Sequence, residues 1–231
     1  ISDVSADRKH PVKCKRPIAS GELSVKTALL FAVAIATACI AAAFYLGPYF
    51  FMAAIAYFFL QIAYTLYLKY VVILDVFSIA AGFVLRVVAG AVVISVEISS
   101  WFIICTVLLS LFLGFSKRRH ELESLEGDAH LHRKVLGDYS VYFLDQMISV
   151  VTASTVICYA LYTMSAETVA KFGTSNLILT VPFVLYGIFR YLYLIHIKGE
   201  GGNPENILVK DVPMIIDIVL WAATAGFILY V

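Results

Sequence analysis

Apolar residues in this chain fall in long unbroken runs, not in the alternating or one-sided patterns of a soluble domain. Seven segments each approach the ~20 residues that cross a ~30 Å hydrocarbon layer as a helix. They are Val25–Leu46, Tyr49–Leu68, Val71–Val96, Ser99–Phe115 (the shortest), Val141–Met164, Leu177–Ile197 and Val212–Val231. In hydrocarbon only helices and closed barrels satisfy every backbone polar group, and these runs are too long for barrel strands. The pattern therefore predicts an all-α, polytopic transmembrane helical bundle. Gly47-Pro48 predicts a minimal hairpin between the first two spans, and Pro182 a kink near the outer end of the sixth. No internal repeat, low-complexity tract or soluble insertion interrupts the series, so residues 1–231 read as one intramembrane domain.

Composition agrees. The chain is 61% hydrophobic and 14% charged, with a mean hydropathy of +0.91, against about half apolar and a quarter charged in soluble domains. Cys14, Cys39, Cys105 and Cys158 form no CxxC pair, and three lie in apolar runs. They read as small buried thiols, not as a disulfide framework or zinc site. The chain has no cleavable signal peptide and opens without Met, inside an acidic motif, which predicts an upstream segment.

A net charge of +1 is uninformative; its distribution is not. With the N-terminal stretch in the cytoplasm, Arg8, Lys9, Lys13, Lys15, Arg16, Lys69, Lys117, Arg118, Arg119, Arg133, Lys134, Lys198 and Lys210 all lie inside, and only Lys171 lies in an outside loop. This positive-inside asymmetry predicts three cytoplasmic loops: the N-terminal stretch, 116–140 and 198–211. The expected setting is the plasma (inner) membrane, with the functional face toward the cytoplasm. No nucleic-acid partner is expected.

Three constellations sit on that face. Asp3 and Asp7, one helical turn apart, can hold a hard divalent cation such as Mg²⁺. Arg8, Lys13 and Arg16 follow, and cations of this kind bind phosphate or anchor the chain at the membrane surface. The second constellation combines Lys117, Arg118, Arg119 and Glu121 with Arg133, Asp138, Tyr139 and Asp145. Asp138 and Asp145, seven residues apart, are expected on one helical stripe. The third is the glycine-rich stretch 198–205, either a mobile cover or a plain connector. Asp75, Asp145, Arg190 and Asp217 lie within about two turns of the cytoplasmic ends of four spans, and Arg86 lies deeper. Charges in spans are costly. They mark either a functional layer or structural pairs, of which Asp75 with Arg190 is one candidate.

At these residues the chain resembles the UbiA superfamily of intramembrane prenyltransferases. Asp3 and Asp7 with RKHPVKCKRPIASGELS look like the tail of its first Asp-rich motif, N-D-x-x-D-x-x-x-D, with the leading Asn-Asp absent. Seven spans here fit a nine-helix fold that places two helices before that motif. Within the superfamily the stretches VVILDVFSIAAGFVLRVVAGA, FSKRRHEL, HRKVLGDYSVYFLDQM and GEGGNPENILVKD are most similar to the decaprenyl-phosphate phosphoribosyltransferases. The KRRHE and DY-x5-D pattern departs from the second motif of aromatic prenyltransferases.

The resemblance implies transfer of 5-phosphoribose from phosphoribosyl diphosphate (PRPP) to a polyprenyl phosphate, releasing diphosphate, for cell-envelope glycolipid precursors. It implies Mg²⁺, with Mn²⁺ as a substitute, held by Asp3, Asp7, Asp138 and Asp145. It implies substrate contacts from Arg8, Lys13, Arg16, Lys69, Lys117, Arg118, Arg119, Glu121, Arg133, Tyr139 and Arg190. Membrane lipids are expected around the bundle, and a homo-oligomer is compatible with it. Two alternatives stay open. One is a prenyl group moved from a prenyl diphosphate to an aromatic or other small acceptor. The other is a transporter, against which stand the one-sided charges and the lack of an inverted repeat.

The charge asymmetry has a direct test. Single cysteines placed in 124–127 and in 199–202, in a background without the native cysteines, should react with impermeant reagents only from the cytoplasmic side. Labelling of either from outside would invert the orientation.

Overall fold

The structure, a computed structural model, describes residues 1, 3–9, 13–124, 134–199, 207 and 209–230. Among the described residues these α-helices follow in order: α1 Val4–Lys9, α2 Pro17–Ser20, α3 Val25–Tyr45, α4 Pro48–Leu66, α5 Leu74–Val93, α6 Ser100–Ser124, α7 Val141–Met164, α8 Ala166–Phe172, α9 Val181–His196 and α10 Val212–Tyr230. Among the described residues seven helical segments are long and apolar enough to span: α3 to α7, α10, and α9 together with the 3₁₀ turn before it. The all-α expectation holds.

Polar side chains set the helix starts. Ser24 accepts a hydrogen bond from the Thr27 N–H (3.1 Å), and Ser140 accepts one from the Phe143 N–H (3.1 Å). Each satisfies a donor that the first turn leaves open. Between α3 and α4 the chain turns at Gly47 with φ 121°, a region that side chains disfavour. Pro48 then opens α4 at a position where its missing N–H costs nothing.

The chain divides into two compact units, Ile1–Ile98 with Leu125–Tyr139, and Ser99–Ser124 with Ser140–Val231. In the first, α4 packs on α3 and α5. Gly82 of α5 lies so near α4 that an added Cβ would sit 3.5 Å from Tyr57 and 3.6 Å from Gln61. Small residues at helix contacts matter in a bilayer, where lipid is as apolar as the side chains and association rests on packing and hydrogen bonds. Arg86 donates to the Tyr57 hydroxyl (2.6 Å) and stacks over the Tyr57 and Phe83 rings. Most of α3 is exposed, with only Ala43 buried, and Tyr49, Phe58 and Phe59 of α4 are exposed as well. These are surfaces for hydrocarbon, not water. In the second unit α6 packs along α7, and α9 along α10 and α7. Phe112, Phe115, Leu144, Ile148 and Leu194 are buried there.

Three expectations change. The fourth span does not end at Phe115: α6 runs on to Ser124, so the basic cluster rides on a helix, not in a loop. Lys, Arg, Leu and Glu are good helix formers, and the pairs Arg118–Glu121 and Arg119–Glu123 stand three and four residues apart. Pro182 does not kink a continuous α-helix. It lies in the first turn of α9, after a 3₁₀ turn at Asn176–Thr180. Arg190 pairs with Asp211, a partner the sequence did not suggest. Its Nε and Nη2 donate to the two carboxylate oxygens at 3.1 and 2.8 Å.

Asp211 also caps α10, accepting from the Met214 N–H at 3.0 Å. The Arg190 hydrogen bonds, outweighing partial desolvation and helped by the Met214 N–H, hold its carboxyl below the usual carboxylate range. A carboxylate lowered by folding stabilises the protein above its unfolded value, and that stabilisation is lost as pH falls through the folded value. The thermal midpoint in detergent should therefore drop as pH falls below about 4. Asp211→Asn keeps the capping oxygen and loses the charge. It should melt lower at pH 7 and show a flatter acid limb; an unchanged limb would remove Asp211 from the acid response.

Candidate active site

The first cluster is built by the N-terminal turns of the first unit. The Asp7 N–H donates to the Asp3 carbonyl (2.8 Å), which stacks the two acids one turn apart at the start of α1. Lys69 donates to Asp3 Oδ1 at 2.6 Å, and Arg16 to Asp7 Oδ2 at 2.9 Å. Arg8 Nε donates to the Ala19 carbonyl (3.2 Å), tying α1 to α2. Lys69 is buried in the 3₁₀ turn Leu68–Tyr70 that closes α4. Burial alone would lower its pKa, but hydrogen bonding to Asp3 and Tyr70 outweighs this and holds the ammonium above the ordinary lysine range. It is a cation at neutral pH.

The turn carrying Lys69 ends at Ile73, which has φ 70° and ψ −47°. Such backbone costs a β-branched residue roughly 1–3 kcal/mol and persists only where its surroundings impose it. Here the Ile73 N–H donates to the Tyr139 hydroxyl (2.7 Å), and that hydroxyl donates to Asp75 Oδ1 (2.7 Å). Tyr139 follows the 3₁₀ turn Lys134–Asp138, whose Val135 and Leu136 are buried.

The second cluster belongs to the second unit. Arg119 of α6 donates to Asp145 of α7 (Nε to Oδ1, 2.5 Å) and to Glu123 (Nη1 to Oε2, 2.6 Å). His196, at the end of α9, brings Nε2 to 3.2 Å from the same Asp145 oxygen. Arg118 pairs with Glu121, and both arginines are buried. Charges this far from water need partners, and each has one. The α6, α9 and α10 helices also line an open apolar cavity of about 230 Å³, walled by Phe112, Phe183, Gly187, Met214 and Trp221 among others. One charged side chain reaches it: the buried carboxyl of Asp217.

Of the candidates read from the sequence, Asp3 with Lys69, Asp7 with Arg16, Arg119 with Asp145, and Arg118 with Glu121 come together as pairs. Lys117 is half-buried on α6. Asp138 and Asp145 do not share a helical stripe. Asp138 is exposed in the 3₁₀ turn, and α7 starts only after the Ser140 cap. The Lys13 side chain, Arg133 and residues 200–205 of the glycine-rich stretch lie outside the described residues. His196 and Glu123 were not among the candidates. A histidine at the end of a span was the available signal for His196; its partner lies 51 residues away.

Among the described residues no three His, Cys, Asp or Glu side chains converge on one point. Mg²⁺ does not require it. It binds through one or two carboxylates, keeps waters and shares the phosphates of its substrate. Asp3 and Asp7, hard oxygen donors one turn apart with Lys69 and Arg16 beside them, fit that use.

Comparison with known proteins gives one consistent answer. The UbiA prenyltransferase family matches residues 1–204. The chain is 31% identical to a decaprenyl-phosphate phosphoribosyltransferase of Mycolicibacterium smegmatis, over 99% of this chain and 73% of that protein. It is 29% identical to the protein of that name from Mycobacterium tuberculosis, over 98% and 74%. A solved UbiA homolog from Archaeoglobus fulgidus, bound to GPP and Mg²⁺, superposes with a TM-score of 0.72 at 21% identity, covering all of this chain and 80% of its own. Seven apolar helices, an acidic pair ringed by cations and a family match over nearly the whole length lead to one conclusion: this chain is an integral membrane transferase and belongs to the UbiA prenyltransferase family.

Proposed function

We propose that the protein transfers 5-phosphoribose from PRPP to a polyprenyl phosphate and releases diphosphate, at the cytoplasmic face of the plasma membrane. The observation that carries this reading is that the acids and cations at the span ends are paired with one another. A polyanionic donor with its metal can exchange into such pairs without leaving a buried charge uncompensated. The similarity to phosphoribosyltransferases over nearly the whole chain supports the choice of donor.

In this reading Asp3 and Asp7 hold Mg²⁺, which when bound neutralises the donor diphosphate. Lys69 and Arg16 pass from the carboxylates to diphosphate oxygens. Asp138 and Asp145 serve as further acidic groups, for ribose hydroxyls or a second metal. Arg8, Lys13, Lys117, Arg118, Arg119, Arg133 and Arg190 divide the remaining phosphate charge. An oxygen of the acceptor phosphate forms a bond to the anomeric carbon, and the bond from that carbon to diphosphate breaks, its electron pair leaving with the diphosphate. Cations fixed beside the leaving oxygens stabilise charge as it develops. The acceptor is already anionic, so no strong general base is needed. The apolar cavity of the second unit offers a hydrocarbon-lined place for the isoprenoid chain.

A second reading, transfer of a prenyl group from a prenyl diphosphate, is favoured by the GPP-bound fold relative. Labelled PRPP and labelled geranyl diphosphate, each supplied with a polyprenyl phosphate or an aromatic acceptor, separate the two. The expected result is lipid-extractable label from PRPP alone. Label from geranyl diphosphate alone would transfer the assignment to prenyl transfer.

Turnover should require Mg²⁺ or Mn²⁺. Asp3→Asn and Asp7→Asn should each lower it at least tenfold, about 1.4 kcal/mol of transition-state stabilisation. Full activity in excess chelator would remove the metal from the scheme.

A further inference from the structure

Three features stand outside the scheme above: the carboxyl of Asp217 in the apolar cavity, the contact of His196 with Asp145, and the Tyr139 hydroxyl between two partners. The third carries furthest. Tyr139 looks from sequence like a substrate contact, yet its side chain is buried and its hydroxyl is engaged on both sides. It accepts from the Ile73 N–H and donates to Asp75, each at 2.7 Å. Those partners lie two residues apart, one at the end of the Lys69 turn and the other in the first turn of α5. Asp75 is fully buried.

The hydroxyl adds a side-chain tie at the end of a turn whose start is closed by backbone hydrogen bonds from the Tyr70 and Val71 N–H groups to the Tyr67 and Leu68 carbonyls. Ile73 sits in left-handed backbone that a β-branched residue avoids, and its N–H points to the phenol. Four residues upstream, Lys69 is buried while its ammonium emerges at Asp3. A lysine on a flexible four-carbon stem is a weak anion ligand unless its backbone is fixed, because the ordering cost falls on binding. The segment that brings the phenol is itself docked, through buried Val135 and Leu136.

We propose that Tyr139 is the positioning residue of the diphosphate-binding lysine. Its hydroxyl, held by Asp75, locks the Leu68–Ile73 turn so that Lys69 meets the donor diphosphate already in place. Tyr139 thereby sets donor affinity without itself touching the donor. This rests on the reading of the Asp3–Lys69 cluster as a diphosphate site, and not on which group the diphosphate carries.

The test measures binding, not turnover. Inorganic diphosphate with Mg²⁺ is titrated calorimetrically into the detergent-purified chain, and thermal midpoints are recorded alongside. Tyr139→Phe should bind at least tenfold more weakly, with a midpoint within a few degrees of wild type. Asp75→Asn, which keeps an acceptor for the phenol, should stay within about threefold. In a Lys69→Ala background, Tyr139→Phe should add less than a twofold loss, because both changes remove the same contribution. A purely structural role would give losses that multiply, and that result would overturn the proposal. So would wild-type affinity in Tyr139→Phe. Should Tyr139→Phe fail to purify folded, Asp75→Ala is put through the same cycle; failure of both to fold would place the pair in the core and also overturn the proposal. Absence of diphosphate binding by wild type would instead sink the diphosphate site itself.

Discussion

A charge at the edge of a hydrocarbon layer must be met by another charge, and that requirement orders the polar half of this molecule. Arg118 and Arg119 are buried, and a lone guanidinium there would cost several kcal/mol. Glu121, Glu123 and Asp145 answer them. Lys69 is answered by Asp3, and Arg190 by Asp211. Each pair also ties together pieces of backbone that apolar packing would leave loosely registered. Lys69 joins the end of α4 to the start of α1, Arg119 joins α6 to α7, and Arg190 joins α9 to α10. Between helices in lipid the hydrophobic effect provides little of this registration.

Paired charges of this kind have two uses at once. They hold the folded state together, and on the proposed reading they would yield to a ligand that brings its own charges. A polyanion carrying a divalent cation presents both signs, so it can take the place of each partner in turn. On the proposed reading the carboxylates would gain metal, and the lysine and arginines would gain phosphate. Net binding is then a difference between two sets of ion pairs. Neither cluster needs a bare charge held ready at a large desolvation cost.

The sequence showed the spans clearly, because about twenty apolar residues in a row have few other fates. It also put Asp7 and the cations after it on one short stretch, where the structure pairs Asp7 with Arg16 nine residues on. Partners for the other groups lay beyond reading. Asp3 meets Lys69 across 66 residues, Tyr139 meets Asp75 across 64, and Asp145 meets His196 across 51. Only tertiary packing brings such pairs together. The stripe expected for Asp138 and Asp145 failed for a local reason that was present in the chain. Ser140 accepts the Phe143 N–H and starts α7 there, leaving Asp138 in the preceding turn. The polarity of the basic cluster points to a loop, yet its residues favour helix and supply their own pairs.

The unbroken course of α6 has a consequence of its own. Leu109, Phe112 and Leu113 wall the apolar cavity, and Arg118 and Arg119 stand farther along the same helix. Seven residues separate Phe112 from Arg119, about 10 Å at a rise of ~1.5 Å per residue. A straight helix does not stretch, so this interval acts as a ruler scaled in methylene groups. An amphiphile seated with its head on Arg119 would meet the cavity wall at a set number of bonds from that head. The helix would then measure a lipid by where its chain begins and be indifferent to where it ends.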